Sequence, residues 1–446
     1  MKEENNYIIH VDKPGTFAEN LNQQKAIQGG EVLSLSVTGN LNRNDIMSIF
    51  HEVIMPQIDE DYYPLEFLDL STANLDTNAV ECIGGPNFGS KEYGFLTECE
   101  HLTEVRLPLG IKTLWNGFFR NCSALEKITI PDTVTFIGSY CICSCPKLKA
   151  IQIPSHIEQI RDGFLEFCDS IEAIELSPEN KRFVLCDDVL YTSDMKTLVR
   201  YPIYKKSEKY TIPESVIEIM GGAFEGNPFI QQITLPPHLK ILVPNAFIRC
   251  TNLQSLKIEE GNPIFFTDQG LLYKKEQIYP QWSTFDLQVE TKKLRIPKYK
   301  IRLMVFPKGH PATDIVSHDL DLDEVDAGFC YNRNIRKAEV NCVDIPKYFF
   351  YACSNLEELR LSFPVESMHV SSIQGCTSLK KISLKNQEHV VNISKKFTSE
   401  NPFEGIDLNH CILEVPERLI EEYKKSEWNR FANIVPKPKR EFGLML

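Results

Sequence analysis

Apolar residues recur along the chain at a fixed interval, and each recurrence has the same internal spacing. Cys99, Cys122, Cys145 and Cys168 are 23 residues apart, and the first three begin the pattern Cys-x-x-Leu-x-x-Val/Ile-x-Leu/Ile-Pro. Inside it, apolar and polar residues alternate, as in Ile128-Thr-Ile130, which predicts a short β-strand. The following proline cannot donate a ladder hydrogen bond, so it ends the strand. The pattern therefore predicts repeated units of one strand, one turn and a second short extended segment.

Further copies of the pattern begin at Asn227, Cys250, Asn332, Cys353 and Cys376. A unit of 23 residues cannot bury its own apolar face, so neighbouring units must stack and share a continuous core. The sequence predicts a repeat solenoid, mainly β, with coils of about 23 residues and parallel strands on one face.

A longer interval of 82 residues separates Asn180 from Asn262, and each of them begins an insert in the repeats. Two apolar runs on either side of a polar stretch predict a β-hairpin that projects from the solenoid. The inserts cover residues 180–202 and 262–281, and their polar stretches are Thr192–Thr197 and Lys274–Gln277.

The pattern Cys-x-x-Leu-x-x-Ile-x-Ile-Pro-x-x-Val-x-x-Ile-Gly, which runs from Cys122 to Gly138, resembles the BspA-like class of leucine-rich repeats. The stretches from Gly15 to Ser71 and from Ile412 to Val435 are similar to the first and last parts of such proteins. With the repeats, the resemblance implies an N-terminal cap region over 1–95, a leucine-rich repeat solenoid over 96–410, and a C-terminal cap with a short helix over 411–446.

The resemblance also implies a function. Members of this class are typically exported or cell-surface proteins of bacteria that act as adhesins or bind host proteins. It therefore implies non-enzymatic protein–protein binding, with a host or neighbouring-cell protein as the ligand. The N-terminal residues Met1–Asn6 are polar where a secretory signal would be apolar, so an interaction scaffold in the cytoplasm is the alternative.

The charge and hydropathy of the chain limit the classes of partner that it can bind. The 446-residue chain has 48 Lys+Arg and 61 Asp+Glu, a formal net charge of −13. Binding of nucleic acid requires clustered cations that displace counterions, so we expect no nucleic-acid partner. A membrane-spanning helix needs about 18 or more consecutive apolar residues, and the sequence contains no such run. The oligomeric state is not indicated.

The 14 cysteines are the first candidates for chemistry. Seven of them start copies of the repeat, where Asn227 and Asn332 replace cysteine, so we expect an inward-facing packing position. Cys141-x-Cys143-x-Cys145 leaves a metal or redox site as the alternative, but a zinc site would need a second pair at matching spacing. Disulfides are not predicted.

The remaining motifs are weak. His310 and His318 share one segment with Asp314 and Asp319, where a metal site is the alternative to a solvated loop. No Gly-x-Ser-x-Gly, phosphate-binding glycine loop or His-Glu-x-x-His motif occurs. We therefore predict no enzymatic activity, no cofactor and no metal.

The segment Asp319–Asp326 alternates acidic and apolar residues and begins like a calcium-binding loop. Such a loop requires glycine at its sixth position and an acid at its twelfth, where Glu324 and Cys330 stand. We expect a strand with a solvated acidic face instead.

The strand-lined face of a repeat solenoid is its usual contact surface. The residues between the apolar strand positions should line it, and their mixed chemistry does not identify a ligand. The candidates are Glu104, Arg106, Lys127, Thr129, Ala150, Gln152, Gln232, Thr234, Glu358, Arg360, Lys381 and Ser383.

After Pro416, residues Leu419, Tyr423 and Phe431 recur at helical spacing. A helix that covers the open end of the repeats is the expected role, and a partner-binding helix is the alternative.

Overall fold

A computed structural model describes residues 5–29, 31–54, 65–84, 94–268, 270–277, 299–316, 329–340, 344–361, 365–384, 389–394 and 401–437. These residues form two compact units, each with its own hydrophobic core. The first unit comprises Met1–Lys206, Ser215–Asn227 and Ile241–Ile248, and the second comprises Ser207–Glu214, Pro228–Lys240 and Arg249–Leu446. The predicted boundaries near residues 95 and 410 stay predictions.

The secondary-structure elements of the described residues are mostly short strands, as the alternating pattern predicts. Up to residue 200 the elements are β1 (Asn6–Val11), α1 (Phe17–Gln28), β2 (Ser34–Leu41), α2 (Arg43–Ile49), a π-helix (Phe50–Ile54), β3 (Phe67–Asp69), β4 (Ala73–Leu75), α3 (Thr77–Gly84), β5 (Glu104–Arg106), β6 (Thr113–Leu114), β7 (Lys127–Thr129), β8 (Phe136–Ile137), β9 (Ala150–Ile153), β10 (Gln159–Ile160), β11 (Ala173–Leu176), β12 (Phe183–Cys186), β13 (Val189–Thr192) and β14 (Thr197–Arg200). From residue 209 they are β15 (Lys209–Thr211), β16 (Glu218–Ile219), β17 (Gln232–Leu235), β18 (Ile241–Leu242), a 3₁₀ helix (Pro244–Phe247), β19 (Ser255–Ile258), β20 (Phe265–Asp268), β21 (Leu271–Gln277), β22 (Tyr299–Val305), β23 (Asp314–Val316), β24 (Lys337–Val340), β25 (Asp344–Ile345), β26 (Glu358–Leu361), β27 (Ser367–His369), β28 (Lys381–Leu384), β29 (Asn392–Ser394), β30 (Ile412–Val415), two 3₁₀ helices (Glu417–Leu419 and Glu427–Arg430) flanking α4 (Ile420–Tyr423), and β31 (Asn433–Pro436).

In the first unit, β1, β2, β3, β5 and β7 form one parallel sheet, to which β4 adds by pairing with β2. The strands β6, β8 and β10 form a second parallel ladder from the other extended segment of each coil. Val105 lies opposite Ile128 in register, and both side chains are buried. Successive coils thus stack equivalent apolar residues.

The second unit repeats this arrangement. Its largest sheet has the order β23-β24-β26-β28-β30-β31, all parallel, and β25, β27 and β29 form the accompanying ladder. Leu359 lies opposite Ile382, again 23 residues further along. The predicted mainly β repeat solenoid with parallel strands is confirmed in each unit.

The turns of the coils hold many residues in the left-handed backbone region. One such position directly precedes the repeat cysteine or asparagine, and another lies four residues before that one. In successive coils the earlier position is occupied by Gly117, Tyr140, Gly163, Gly222 and Tyr348. The later position is occupied by Glu98, Asn121, Ser144, Phe167, Gly226, Arg249, Tyr331, Ala352 and Gly375. Glycine adopts this conformation freely, whereas a side chain costs roughly 1–2 kcal/mol there. Tyrosine at these positions is therefore a departure from what the backbone favours.

The inserts differ from the prediction in detail. In the first insert β13 ends at Thr192 and β14 begins at Thr197, and the two pair antiparallel. The strand β12 adds a third antiparallel strand, and β14 continues into a parallel ladder with β16 and does not project freely. In the second insert the prediction of a turn at Lys274–Gln277 was wrong, because these residues belong to β21, which lies between β20 and β22. Two flanking strands supply backbone partners, so a polar stretch can be a strand.

Candidate binding surface

Six of the predicted face residues come together as two charge ladders, one in each unit. The first ladder comprises Asp69, Glu104, Arg106 and Lys127 on β3, β5 and β7. Arg106 contacts Asp69 Oδ2 at 3.2 Å and Glu104 Oε1 at 3.0 Å, and Lys127 Nζ lies 3.3 Å from the same Glu104 oxygen. The hydrogen bond with Glu104 raises the pKa of Arg106. Every charge of this ladder therefore has an opposite charge beside it.

The second ladder comprises Glu339, Glu358, Arg360, Lys381 and Glu414. Arg360 Nε lies 2.9 Å from Glu358 and its Nη1 lies 4.0 Å from Glu339. Lys381 bridges Glu358 at 3.8 Å and Glu414 at 2.7 Å. The same Glu-x-Arg strand followed by a lysine in the next coil thus builds both ladders, because the 23-residue register places these residues opposite one another.

The other predicted residues do not join these ladders. Thr129 and Gln152 are exposed on β7 and β9, and Ala150 is exposed at the start of β9. Gln232 and Thr234 are half-buried on β17, where Gln232 Nε2 donates to Ser255 Oγ at 3.1 Å. Ser383 is only 3% exposed, so it contributes almost no surface.

The ladders can make ionic and hydrogen-bonding contacts with a partner. The acids of these pairs are more shielded than the cations, and Glu414 is buried. The more exposed pairs, such as Lys127 with Glu104, contribute about 0–1 kcal/mol each, so a complementary surface can displace those at small cost. Because positive and negative side chains alternate along the ladders, we expect a partner with both signs of charge in the complementary order to bind better than a partner with one sign only.

The repeat cysteines occupy the inward-facing position that the sequence predicts. The thiol of Cys122 donates to the carbonyl oxygen of Leu96, that of Cys145 to Phe119, and that of Cys353 to Phe329, each at 3.0 Å. Asn227 fills the same position and donates to the carbonyl oxygens of Pro202, Ile203 and Lys205 at 2.9 to 3.2 Å. The predicted inward-facing position is confirmed, and its side chains also make polar contacts with the turn backbone.

Burial makes these thiols poor nucleophiles. It raises the pKa of Cys99 and of Cys376 to about 12, and that of Cys141 still further. A thiolate is the reactive and metal-binding form. Within the part of the chain that the structure describes, no group of three or more His, Cys, Asp or Glu side chains could hold a metal ion.

The structure tests only the His310 part of the predicted histidine and aspartate segment. His310 is buried, and its ring lies 5.0 Å from that of Phe306. The predicted loop is thus not solvated at this residue. His318 and the segment Asp319–Asp326 lie outside the described residues.

A cleft of about 640 Å³ lies beside the first insert. Its lining includes Glu158, Glu179, Lys181 and Arg182. Asn180 fixes the wall of this cleft, because its side chain donates to the carbonyl oxygens of Pro154 and Ile157 and accepts from the N–H groups of Arg182 and Phe183.

Sequence reasoning missed an aromatic cluster at the surface of the second unit, the tyrosine triad of exposed Tyr331 and Tyr348 with half-buried Tyr351. The ring centroids of Tyr331 and Tyr348 lie 5.5 Å and 5.2 Å from that of Tyr351, at interplanar angles of 75° and 76°. Lys347 Nζ lies 4.5 Å from the Tyr348 ring centroid. The repeat pattern does mark one of these residues, because Tyr348 occupies a position where other coils have glycine.

The C-terminal segment packs onto the core of the second unit. Trp428 is buried and donates from its Nε1 to Val391 O at 3.0 Å, while the Tyr423 hydroxyl accepts from Val391 N. Leu419 and Phe431 are also buried, so the side chains at helical spacing face this core.

Across the described residues, no helix is both long and apolar enough to cross a membrane.

Comparison with protein families gives one match. The family described as "BspA type Leucine rich repeat region" matches with six copies over residues 91–199, 203–269 and 319–427, more than half of the chain. A search of curated proteins finds no match.

Several solved structures are similar to this chain at low sequence identity. A leucine rich cell surface protein from Faecalibacterium prausnitzii is 16% identical, with 83% of this chain and 82% of that chain covered and a TM-score of 0.41. The pneumococcal vaccine antigen PcpA is 12% identical, with 81% and 79% covered and a TM-score of 0.40. A leucine-rich repeat protein from Eubacterium ventriosum is 16% identical, with 71% and 81% covered and a TM-score of 0.35. These likenesses carry no inference about ligands.

Proposed function

The chain belongs to the BspA-type leucine-rich repeat family, and from this premise we propose that it is a non-enzymatic protein-binding protein at a bacterial cell surface or in the secreted fraction. The ligand is a host or neighbouring-cell protein. The family's typical location and role support both parts of the proposal.

The observation that carries the binding role is the pair of charge ladders on the strand faces. Each ladder presents both signs of charge on short parallel strands whose apolar residues are buried. Such a surface is rigid, because its backbone is fixed by the neighbouring coils. A partner with the complementary pattern gains ionic contacts without ordering the surface first.

Capture of purified host extracellular-matrix proteins on the immobilised chain tests this role. Charge reversal by Lys381→Glu removes the contacts to Glu358 and Glu414 and should weaken capture. Lys380→Glu is the matched control, because Lys380 precedes β28 and pairs with Glu357 at 2.9 Å outside the ladder. Arg106→Glu and Lys127→Glu test the first ladder, and Arg360→Glu tests the second again.

Equal capture by the ladder variants, the control and the unmodified chain would remove the ladders as the site. Activity on a substrate that a single polar substitution abolishes would overturn the non-enzymatic proposal.

The second candidate is an interaction scaffold inside the cell. Its specific support is the state of the cysteines: all thirteen that the structure describes are free. The thiols of Cys122, Cys145 and Cys168 are neighbours within hydrogen-bonding reach. Adjacent unbridged thiols are typical of a reducing compartment.

Cell fractionation separates the two candidates. Native protein found only in the cytosol, with its thiols free, would reject the surface adhesin and support the scaffold. Protein on intact cells that added protease removes would reject the scaffold.

A further inference from the structure

Two residues of the tyrosine triad are exposed at backbone positions that favour glycine. Tyr331 and Tyr348 are 40% and 38% exposed, with φ of 59° and 62°. At the corresponding turn positions of other coils, Gly226 and Gly375 match Tyr331, and Gly117, Gly163 and Gly222 match Tyr348. The repeat therefore does not need tyrosine at either position, and the rings are held out despite the strain.

The hydroxyl groups of the triad are available to a partner. Among the described residues, no hydrogen bond involves the phenolic oxygen of Tyr331, Tyr348 or Tyr351. Each can donate one hydrogen bond and accept others. The triad thus combines apolar ring faces with three uncommitted donors.

A cation lies beside the triad. Lys347 is exposed, and its Nζ lies 4.5 Å from the Tyr348 ring centroid. An acidic group in a ligand would therefore meet a lysine at the edge of the aromatic surface.

We propose that the tyrosine triad, with Lys347, binds a proline-rich segment of a partner protein that carries acidic residues beside its prolines. Proline rings pack on tyrosine faces, and an extended polyproline helix leaves its carbonyl oxygens without internal hydrogen bonds. The phenolic hydroxyl groups donate to these carbonyl oxygens, and Lys347 pairs with a flanking carboxylate. This inference deepens the proposed function, since it specifies the chemistry of a partner, but it places that partner on a surface separate from the predicted ladder residues.

Fluorescence anisotropy with synthetic peptides tests the inference on the full chain. The probe is a labelled oligoproline peptide that ends in glutamates; the comparison peptides replace the prolines with glycine and serine, or the glutamates with lysine. The proline-glutamate peptide should bind best, and its affinity should fall with added salt.

Tyr348→Gly separates binding from folding. It removes one ring and relieves the left-handed strain, so the thermal midpoint should stay the same or rise while affinity falls by about tenfold or more, as for an aromatic hot spot. Tyr140→Gly is the matched control, because Tyr140 occupies the same turn position in the first unit. Lys347→Glu should abolish the preference for glutamate over lysine.

Failure of the proline-glutamate peptide to bind, or equal binding by Tyr348→Gly, would overturn the inference. Binding of a sulfated polysaccharide that Tyr348→Gly removes, without peptide binding, would assign the triad to an anionic carbohydrate instead. Either result leaves capture of host proteins by the ladders to be judged on the Lys381→Glu experiment alone.

Discussion

The thiol of Cys145 donates a hydrogen bond to the backbone carbonyl oxygen of Phe119 at 3.0 Å, and this contact joins one coil to the coil before it. Equivalent contacts from Cys122 and Cys376 make the thiol a recurring link between the turns. Cysteine suits the position because it is small, apolar and able to donate one weak hydrogen bond.

Replacement of Cys145 by alanine should therefore destabilise the first unit. The change removes a buried sulfur atom and its hydrogen bond, and we expect a loss of about 1–3 kcal/mol in the free energy of unfolding. Urea denaturation measures it. Cys186→Ala, at an exposed cysteine, is the control and should have no effect. Equal stability of both variants would show that the thiol link does not matter.

High pH should weaken the fold through the same thiols. Cys376 has its pKa raised by burial from an ordinary value of 9.0 to about 12. Between these values the unfolded chain loses the proton while the folded chain keeps it, so stability falls as pH rises. The loss for Cys376→Ala relative to the unmodified chain should shrink from pH 9 to pH 11, as measured by urea denaturation. A loss that is independent of pH would contradict a raised pKa.

The buried ion pair of Arg200 and Glu225 should be sensitive to removal of one partner. Arg200 Nη2 lies 3.3 Å from Glu225 Oε2, and the side chains are 2% and 0% exposed. Arg200→Met leaves a buried carboxylate without its cation, which should cost about 3–5 kcal/mol. Lys196→Met breaks an exposed pair with Asp194 and should cost less than about 1 kcal/mol. Similar melting temperatures for the two variants would argue against this difference.

Asp45 should be required for the N-terminal part of the first unit. Its buried carboxylate accepts from the N–H groups of Gly15, Phe17 and Asn42 at 2.7 to 2.9 Å, which fixes the beginnings of α1 and α2. Asp45→Ala leaves three N–H groups without their acceptor, and we expect a loss of about 2 kcal/mol or more. Hydrogen exchange should rise first in residues 6–49. Unchanged exchange there would contradict this role.

The tertiary structure shows which of the predicted face residues form ion pairs and which are buried. Arg106 and Lys381 were predicted because they stand between apolar strand positions, and the structure does place them on strand faces. That alternation cannot reveal that Arg106 meets Asp69 from 37 residues earlier, because the intervening segment does not follow the repeat spacing. Ser383 follows the same alternation but is buried.

The sequence by itself determined the repeat, the parallel strands and the inward position of the cysteines, because a period of 23 residues fixes which side chains stack. The tertiary structure alone decided which charges pair, that Lys274–Gln277 is a strand, and that three tyrosines from separate turn positions meet. These depend on distances between side chains, which spacing along a chain does not encode.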